Sequence, residues 1–397
     1  MPHLRARHLE PLLKKSLSYS PLVGVLGHRQ VGKTTLTSQL GSTYATLDLT
    51  DSLALAQTSP QSFLAQNRGK PGVIDECQLS PALFPAMKEW VRLHPEPGQF
   101  LLTGSVRFAS RKAIRESLTG RIISWELLPM DWAEQNGQPL PDRLPRLLKS
   151  RDVQVPLARN PKFNLKSYEK HLENGGLPGV FSVRDSAIRS QRFETQIATL
   201  LERDLRLLVE TTLPYRTLRA LLDALALQAG TPLNVASLAR ATRLSLITIR
   251  KLLQAFESLF LIRLIPCHGD YKKPVLFFED LGELRHLLKT KPSLDSDLLF
   301  FIYQNCRTQF HYRPELQGQI SSFRTRGGND VPLVFQAGNS RLGIIPCADE
   351  NQIGDAVSRS RRFLASHANA RVLIVGIDSI DQMIDPRTRW VGVDRII

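Results

Sequence analysis

The chain has 397 residues, a length that fits about two to four domains with hydrophobic cores and excludes a small scaffold or tail. Lysine and arginine total 52 against 37 aspartate and glutamate, and the net charge of +15 favours anionic partners, with nucleic acid and membrane surfaces in competition. Because the sequence lacks an apolar run of about 18 residues and a signal-peptide pattern, we expect a soluble cytoplasmic protein that binds no membrane. The four cysteines form no Cys-x-x-Cys pair, so neither a zinc site nor a disulfide framework is indicated.

Residues 1–135 are predicted to form an α/β domain. Short apolar runs alternate with helical stretches from Pro21 to about Met130, a pattern typical of a parallel sheet with helices on its faces. The predicted strands are Leu22 to Leu26, Tyr44 to Leu49, Gly72 to Ile74, Gln99 to Thr103 and Ile122 to Leu127. The fold class predicted for this part of the chain is therefore α/β.

A phosphate-binding motif lies between the first predicted strand and the helix that follows it. The motif is Gly27-His28-Arg29-Gln30-Val31-Gly32-Lys33-Thr34, which fits the pattern Gly-x-x-x-x-Gly-Lys-Ser/Thr, and Thr35 comes next. Its glycines let consecutive backbone N–H groups surround a phosphate at a helix N-terminus. We assign ATP binding to residues 27–35, with Lys33 reaching the β- and γ-phosphates and the Thr34 hydroxyl binding Mg²⁺.

Two adjacent carboxylates follow the third predicted strand. Asp75 and Glu76 stand where a P-loop ATPase needs acidic side chains near the same phosphates. Asp75 is predicted to hold Mg²⁺ through water, and Glu76 is predicted to act as the general base that polarises the attacking water. Hydrolysis, and not binding alone, is the expected outcome. The alternative interpretation is an exposed acidic pair at a strand end.

The fourth predicted strand supplies a candidate sensor of the γ-phosphate, either Thr103 or Ser105, although an ordinary strand-to-loop turn also explains both residues. Phosphoryl transfer benefits from an arginine aimed at the developing charge. The candidates are Arg107, which follows the sensor loop, and Arg121, which precedes the next strand. For the basic residues between them we prefer a solvated basic face. These residues are Arg111, Lys112 and Arg115.

The rest of the chain is predicted to contain three further units. Residues 136–229 form a linker and helical connector, in which the Pro-, Arg- and Gln-rich stretch 136–163 indicates a linker or a loosely attached subdomain. Residues 230–280 are typical of a winged helix-turn-helix, with helices Val235 to Ala241 and onward to Phe260, then strands Leu261 to Ile265 and Pro274 to Phe278. Residues 281–397 mix helices and strands and predict a separate small α/β domain.

The predicted winged helix carries a positive charge. A module of this kind places its second helix in the major groove of duplex DNA while the wing contacts the backbone. Glu257 is the one acidic residue between Pro232 and Ile265. The candidate DNA-binding residues are Arg243, Arg250, Lys251, Lys272 and Lys273. Winged helices also bind proteins, so both classes of partner stay open at this point.

Together these motifs resemble the AAA+ ATPases, in particular a prokaryotic group whose ATPase core precedes a helical, winged-helix and nuclease-like region. The resemblance covers most of the chain. It rests on residues 27–35, 73–78, 101–105 and 173–178, on Ser117-Leu118-Thr119-Gly120-Arg121 leading to Leu128-Pro129-Met130, on Glu202-Arg203-Asp204, and on residues 273–280. It implies an ASCE-type P-loop NTPase sheet, ATP hydrolysis and homo-oligomers, and it brings no settled cellular role.

The last domain departs from the pattern of that group. In similar proteins it resembles restriction endonucleases, with a Gly-x-Glu-Val-Asp segment and an Ile-Glu-Val-Lys strand that bind metal and assist cleavage. Here Gly328-Asn329-Asp330-Val331-Pro332 and Ile344-Ile345-Pro346-Cys347 occupy those places. Pro332, Ile345 and Cys347 replace the aspartate, glutamate and lysine, which leaves Asp330 as a lone metal ligand. We expect this domain not to cut DNA.

The sequence thus predicts a Mg²⁺-dependent ATPase that acts as a DNA-associated switch or remodeller through its winged helix. The alternative is a regulatory ATPase whose winged-helix and C-terminal domains bind an unknown protein partner; strong, salt-sensitive DNA affinity would argue against it. A third class, a structural nucleotide-binding protein without turnover, is disfavoured by Glu76.

Overall fold

The N-terminal part of the chain forms a parallel sheet in a computed structural model that describes residues 4–107, 118, 120–150, 152–327, 330–378 and 380–397. The strands are β1 (Leu22–Leu26), β2 (Thr43–Thr46), β3 (Gly72–Asp75), β4 (Phe100–Gly104) and β5 (Ile122–Glu126). Among the described residues they pair in the order β2-β3-β4-β1-β5, all parallel. Strands β1, β3 and β4 are buried throughout, as expected for parallel strands covered on both faces. The predicted α/β fold of the P-loop NTPase type is confirmed.

Helices cover both faces of this sheet. They are α1 (Glu10–Leu17), α2 (Lys33–Ser38), α3 (Thr50–Thr58), α4 (Pro60–Gln66) and α5 (Leu83–Leu93). Successive strand residues divide between two hydrophobic cores, because their side chains point to opposite faces of the sheet. Ile74 packs with Phe63 and Phe84 in one core, whereas Val73 packs with Leu13 in the other. The carboxyl ends of β1, β3 and β4 consequently meet at one edge of a rigid layer.

A helical region follows β5. It contains α6 (Trp132–Gln135), α7 (Arg143–Lys149), α8 (Leu165–Asn174), α9 (Ser186–Thr199), α10 (Leu205–Leu208) and α11 (Tyr215–Ala226). A π-helical turn, Leu200–Asp204, joins α9 to α10. Side chains cap several of these helices; the Asp185 carboxylate, for example, accepts hydrogen bonds from the backbone N–H groups of Ala187 and Ile188 at the start of α9.

Two helices and a pair of strands come next, where the sequence predicted such elements. Helices α12 (Val235–Thr242) and α13 (Leu246–Ser258) are joined by a turn, and strands β6 (Ile262–Ile265) and β8 (Val275–Phe278) pair antiparallel. The sequence did not predict a third strand, β7 (Cys267–Gly269), in the connection between β6 and β8. This strand leaves the pair and joins the sheet of the C-terminal part of the chain.

The C-terminal part builds a mixed sheet. Helices α14 (Leu281–Leu287) and α15 (Leu294–His311) precede β9 (Gln319–Arg324), β10 (Asp330–Ala337) and β11 (Ser340–Pro346), and α16 (Ile353–Ser366) precedes β12 (Ala370–Gly376), β13 (Asp381–Asp385) and β14 (Thr388–Gly392). Among the described residues the strand order is β13-β14-β12-β11-β10-β9-β7. Helix α15 packs with Leu333 and Ile344 on one face, and Phe363 of α16 packs with Val331 and Ile345 on the other. The sheet is thereby covered on both sides.

The stretch 136–163 is not the loose linker or subdomain that its composition suggested. Arg389 donates hydrogen bonds to the carbonyl oxygens of Val153 and Val155, both at 2.7 Å, and Arg395 donates to the carbonyl of Leu157 at 2.8 Å. Helix α7 packs against α15. Arg389 of β14 and Arg395 of the 3-10 helix after it therefore fix this stretch to the C-terminal sheet, an arrangement that composition alone does not encode.

None of the helices in the described part of the chain has the length and apolar character that crossing a membrane requires.

Candidate functional site

The P-loop motif joins β1 to α2 at the carboxyl edge of the parallel sheet. Two of its residues require glycine. A Cβ at Gly27 would lie 2.5 Å from the carbonyl oxygen of Leu127, and Gly32 has φ 97°, in the left-handed region. Gln30 also has a positive φ, of 62°. The loop therefore curls tightly enough to turn its backbone N–H groups toward one point, as a phosphate site needs.

Lys33 lies inside this loop and is 5% exposed. Its ammonium group donates hydrogen bonds to the carbonyl oxygens of Gly27 at 3.0 Å and His28 at 2.9 Å. Burial lowers the pKa of Lys33, and the carboxylates of Glu76 and Asp75 oppose that shift. Because its described hydrogen-bond acceptors are neutral carbonyls, the ammonium is suited to exchange them for phosphate oxygens.

Asp75, at the end of β3, gathers hydroxyl groups from three elements. The Thr34 hydroxyl donates to Asp75 Oδ2 at 2.8 Å, Tyr44 donates to the same oxygen at 2.8 Å, and Thr103 donates to Oδ1. Burial and the bond to Asp75 raise the pKa of Tyr44 to about 12. The Thr34 hydroxyl and the Asp75 carboxylate are hard oxygen ligands side by side, and this donor set fits Mg²⁺.

Glu76 is held beside this pair in a left-handed backbone conformation, with φ 54°. Its carboxylate accepts a hydrogen bond from the Ser105 hydroxyl at 3.1 Å and another from the Gln78 amide, which also donates to Ser105 Oγ at 3.2 Å. Its backbone N–H donates to Thr103 Oγ1 at 3.2 Å. Both predicted sensor residues thus touch the acidic pair, Thr103 at Asp75 and Ser105 at Glu76.

The side chains of His28 and Arg29 point from the P-loop toward elements that follow the ATPase sheet in the chain. His28 is buried, with Nε2 3.1 Å from Glu283 Oε2 of α14, and Gln196 of α9 donates to the other oxygen of Glu283 at 2.7 Å. Burial disfavours the imidazolium, but the Glu283 carboxylate outweighs burial and raises the pKa of His28. Arg29 pairs with Asp204 of the π-helical turn at 3.2 Å. The phosphate loop is therefore bonded directly to two downstream elements.

Arg7 holds the other side of the loop and was not identified from the sequence. Its guanidinium donates to the carbonyl oxygens of Val31 at 2.7 Å and Leu128 at 2.6 Å, and it pairs with the buried Glu134 at 3.1 Å. Next to it lies a cavity of about 370 Å³. Beyond the P-loop itself, the residues that line it include Leu4, Arg5, Met130, Pro178 and Phe181. The segments 128–130 and 173–178, noted in the sequence as motifs without a role, thus flank the space beside the phosphate loop.

The structure corrects the prediction for Arg107. Its guanidinium lies 2.9 Å from Glu126 and 3.5 Å from Glu279, stacks 4.1 Å from the ring centre of Phe260, and donates to the carbonyl of Glu257. These partners engage the guanidinium in a cluster between β5 and the β6–β8 pair, and no described hydrogen bond or ion pair joins it to the P-loop.

Arg121 lies at the opposite edge of the sheet from its own P-loop. It precedes Ile122, which pairs with Leu22 at the start of β1, whereas the P-loop follows Leu26 at the end of that strand. The length of β1, roughly 15 Å at the usual rise per residue, separates Arg121 from the P-loop. A role in the nucleotide site of its own subunit is therefore excluded by distance. Arg111, Lys112 and Arg115 lie outside the described residues.

The predicted DNA-binding residues are all exposed. Arg243 occupies the turn after α12, with φ 57°. Arg250 and Lys251 lie on α13, and Lys272 and Lys273 follow β7. These cations are thus accessible to a partner, as the sequence analysis required.

The nuclease-like positions come together on adjacent antiparallel strands, since Leu333 of β10 pairs with Ile344 of β11. Ile345 and Cys347 are buried. The Asp330 carboxylate accepts hydrogen bonds from Arg324 at 3.0 Å and Arg359 at 2.7 Å. Gly328 and Asn329 lie outside the described residues. Arginines thus occupy both oxygens of the one carboxylate that the motif retains.

Comparison with known families agrees with the nucleotide site. Residues 19–136 match a family described as an AAA domain, and residues 165–294 match a domain of unknown function. Together with the strand order and the P-loop geometry, this match establishes a P-loop AAA-like ATPase domain in the N-terminal part of the chain.

Two uncharacterized proteins, from Mycobacterium tuberculosis and Mycobacterium bovis, are each 28% identical over 284 residues. The match covers 70% of this chain and 58% of each mycobacterial protein, so the chain spans little more than half of their length.

Among solved structures, a Walker-type ATPase of Pyrococcus abyssi aligns over 70% of this chain and 94% of its own, with 14% identity and a TM-score of 0.41. A signal-transduction ATPase with numerous domains and a tetratricopeptide repeat sensor, from Pyrococcus horikoshii, aligns over 76% of this chain and 47% of its own, with 13% identity and a TM-score of 0.23. These scores are low, and the fold assignment rests on the sheet topology and the AAA-domain match.

Proposed function

We propose that this protein hydrolyses ATP with Mg²⁺ at the P-loop and uses the nucleotide state to control a DNA-associated unit. The observation that carries the proposal is the placement of Glu76: Ser105 and Gln78 orient its carboxylate, one residue from the Asp75–Thr34 pair. A carboxylate that neutral hydrogen-bond donors hold in place is suited to accept a proton from water.

The roles of the site residues follow from this geometry. The backbone of residues 27–35 and the Lys33 ammonium would bind the phosphates, and Thr34 and Asp75 would hold Mg²⁺. The metal would supply neutralisation of the phosphate charge. Thr103 orients Asp75, and Ser105 orients Glu76 toward the water that it deprotonates.

We assign the DNA-associated role to the unit formed by α12, α13, β6 and β8, interpreted as a winged helix within residues 230–280. Its support is the set of exposed cations on α13 and after β7. We retain the other units as residues 1–135 for the ATPase domain, 136–229 for the connector and 281–397 for a nuclease-like domain that does not cleave. The pairing of Asp330 with two arginines supports the last point, because it occupies the carboxylate with cations of the protein itself.

Contacts of the P-loop and of the segment after the sensor residues support coupling between the units. Arg29 pairs with the π-helical turn of the helical region, His28 pairs with α14 of the C-terminal part, and Arg107, two residues after Ser105, binds the carbonyl of Glu257 near the end of α13. If γ-phosphate binding shifted Thr103 or Ser105, Arg107 would therefore transmit the movement to α13, because it lies two residues after Ser105.

The test is steady-state ATP hydrolysis with and without duplex DNA, at about 50 mM and about 200 mM salt. We expect DNA to stimulate turnover at low salt and the stimulation to fade at high salt. The variant Arg250→Ala/Lys251→Ala should keep the basal rate and lose the stimulation. Turnover that is indifferent to DNA at both salt concentrations would contradict the DNA-associated role.

A second candidate, a regulatory ATPase that binds protein, is favoured by one observation. A groove of about 510 Å³ between α12, α13 and β6 is lined mainly by apolar side chains, among them Leu233, Val235 and Leu253. Leu246 and Ile247 at the start of α13 are 44% and 78% exposed. Exposed apolar side chains beside a groove are typical of protein interfaces. If Ile247→Ser abolishes a cellular function that Arg250→Ala/Lys251→Ala leaves intact, the protein-binding alternative takes precedence.

A further inference from the structure

A second basic surface lies where the β6–β8 connection meets the C-terminal sheet. A cavity of about 540 Å³ opens there, and its lining includes Asn234, Tyr271, Lys273, Arg324, Arg326 and Asp330. We call it the junction groove. Three of its lining side chains are cations, Lys273, Arg324 and Arg326; Asp330 is the one acidic lining residue and pairs with Arg324, and the Asp270 carboxylate accepts from the Arg326 N–H. Lys273 and Arg326 are exposed, so their charges face solvent inside a concave surface.

The junction groove is continuous with the surface of α13. Asn234 and Lys273 line both this groove and the one that contains Arg250. A polyanion lying on α13 would therefore pass Lys273 and reach Arg326 on the C-terminal sheet. Tyr271 and Asn234, with a hydroxyl and an amide, add neutral donors of the kind that contact phosphate oxygens.

The two halves of the groove are fixed to each other by backbone pairing. Strand β7 pairs in parallel with β9, so that Gly269 lies beside Arg324. The Asp270 N–H donates to the carbonyl of Arg324 at 3.0 Å, and the Arg326 N–H donates to the Asp270 carboxylate at 3.1 Å. Gly269 is required for this approach, because its φ is 95° and a Cβ would lie 2.4 Å from the Arg324 carbonyl oxygen. The spacing of Lys273 and Arg326 is thus preset before a ligand arrives.

We infer that the junction groove is a phosphate-backbone site for duplex DNA, which extends the DNA surface from α13 onto the C-terminal sheet. The inference rests on the proposed DNA-associated function. It assigns the C-terminal part of the chain a role in holding DNA. Arg324 and Arg359 pair with both oxygens of Asp330 at the position where similar nuclease-like domains place a metal ligand, so this carboxylate is engaged by the protein's own cations.

The experiment measures duplex DNA affinity of the full chain over a series of salt concentrations. In the variant Lys273→Ala/Arg326→Ala we expect weaker binding and a slope of log affinity against log salt that is smaller in magnitude by about 1.8, or about 0.9 for each lost phosphate contact. Arg68→Ala/Lys88→Ala is the matched control, since it removes the same two charges from exposed positions of the ATPase domain. Circular dichroism and thermal melting confirm that both variants are folded.

The outcomes distinguish failure of the junction-groove site from failure of the proposed DNA-associated function. If the wild-type protein binds DNA with salt dependence but the junction variant keeps the slope of the control, the inference is wrong and the DNA-associated function stands. If the wild-type protein shows no salt-dependent DNA affinity, both are overturned. Equal loss in the junction and control variants would show a diffuse charge effect and would also contradict the site.

Discussion

Arg7 connects the N-terminal segment to the phosphate loop. It binds the carbonyl of Val31 within the loop and the carbonyl of Leu128 after β5, and its charge faces the buried Glu134. Burial raises the pKa of Glu134, because the carboxylate has left water, and Arg7 opposes that shift. Removal of the guanidinium would leave a buried carboxylate and two carbonyl groups without this donor.

We predict that Arg7→Ala destabilises the protein by about 3–5 kcal/mol, the usual cost of breaking a buried ion pair on one side. Thermal or urea denaturation measures the loss. The double variant Arg7→Ala/Glu134→Gln should recover part of it, because the unpaired charge is gone. Arg92→Ala serves as the control, since its pair with Glu89 is exposed and should matter little. A melting curve for Arg7→Ala that matches the wild type would contradict the role of this residue.

The sequence could predict those site residues that belong to short motifs. Lys33, Asp75 and Glu76 belong to short motifs with fixed spacing, and the structure brings their side chains together. Arg7 could not be predicted, since its partner Glu134 lies 127 positions away. The partners of Arg107 could not be predicted for the same reason: its position after the sensor residues suggested the phosphates, but within its own chain the carbonyl of Glu257, 150 positions on, binds it.

Among the elements, α8 and α15 pack around a buried histidine. His171 of α8 has Nε2 3.0 Å from the Gln304 amide oxygen of α15, and the edge of its ring lies against Phe301. Burial lowers its pKa from the usual 6.5 to about 4. The folded protein therefore favours neutral His171, and the stability that this gives is complete above pH 6.5 and is lost as pH falls toward 4.

We predict that His171→Gln reduces the acid sensitivity of the fold. At about pH 5, this one histidine lowers the free energy of unfolding by on the order of 2 kcal/mol, because it binds a proton in the unfolded chain but not in the folded chain. Melting temperatures at about pH 7.5 and about pH 5 should differ less in the variant than in the wild type, although packing loss lowers both. His268→Gln changes an exposed histidine and should keep the wild-type difference. An unchanged difference in His171→Gln would contradict the assignment.

Elements with clear periodicity were predicted from the sequence, whereas those defined by pairing were not. Helix α13 and strand β8 lie close to their predicted bounds because apolar side chains repeat along them. Strand β7 has three residues, too few for a period, and its partner β9 begins at Gln319. The fixed position of the stretch 136–163 was missed likewise, because arginines far along the chain hold it.

In the whole molecule, the position of Arg121 ties any catalytic role of this residue to the assembly of subunits. It lies at the opposite sheet edge from its own P-loop, so it can contribute to catalysis only from a neighbouring subunit. We predict that Arg121→Ala keeps nucleotide binding and loses turnover.

An equal mixture of Arg121→Ala and Glu76→Gln subunits should regain roughly a quarter of wild-type activity, because one kind of mixed interface combines an intact Glu76 with an intact Arg121. A mixture of Lys33→Ala and Glu76→Gln is the control and should stay inactive if Lys33→Ala subunits cannot bind nucleotide, since neither subunit then supplies a complete P-loop site. Equal inactivity of both mixtures would contradict an arginine supplied between subunits.

In the proposed function, Glu76 activates water for ATP hydrolysis at this P-loop. The most direct test measures steady-state hydrolysis together with equilibrium binding of a fluorescent ATP analogue, for wild type, Glu76→Gln and Lys33→Ala. We predict that Glu76→Gln binds nucleotide as the wild type does and hydrolyses it about 10²–10⁴ times more slowly, since the amide keeps the shape but accepts no proton. Lys33→Ala should lose binding. Hydrolysis by Glu76→Gln at the wild-type rate would contradict the account.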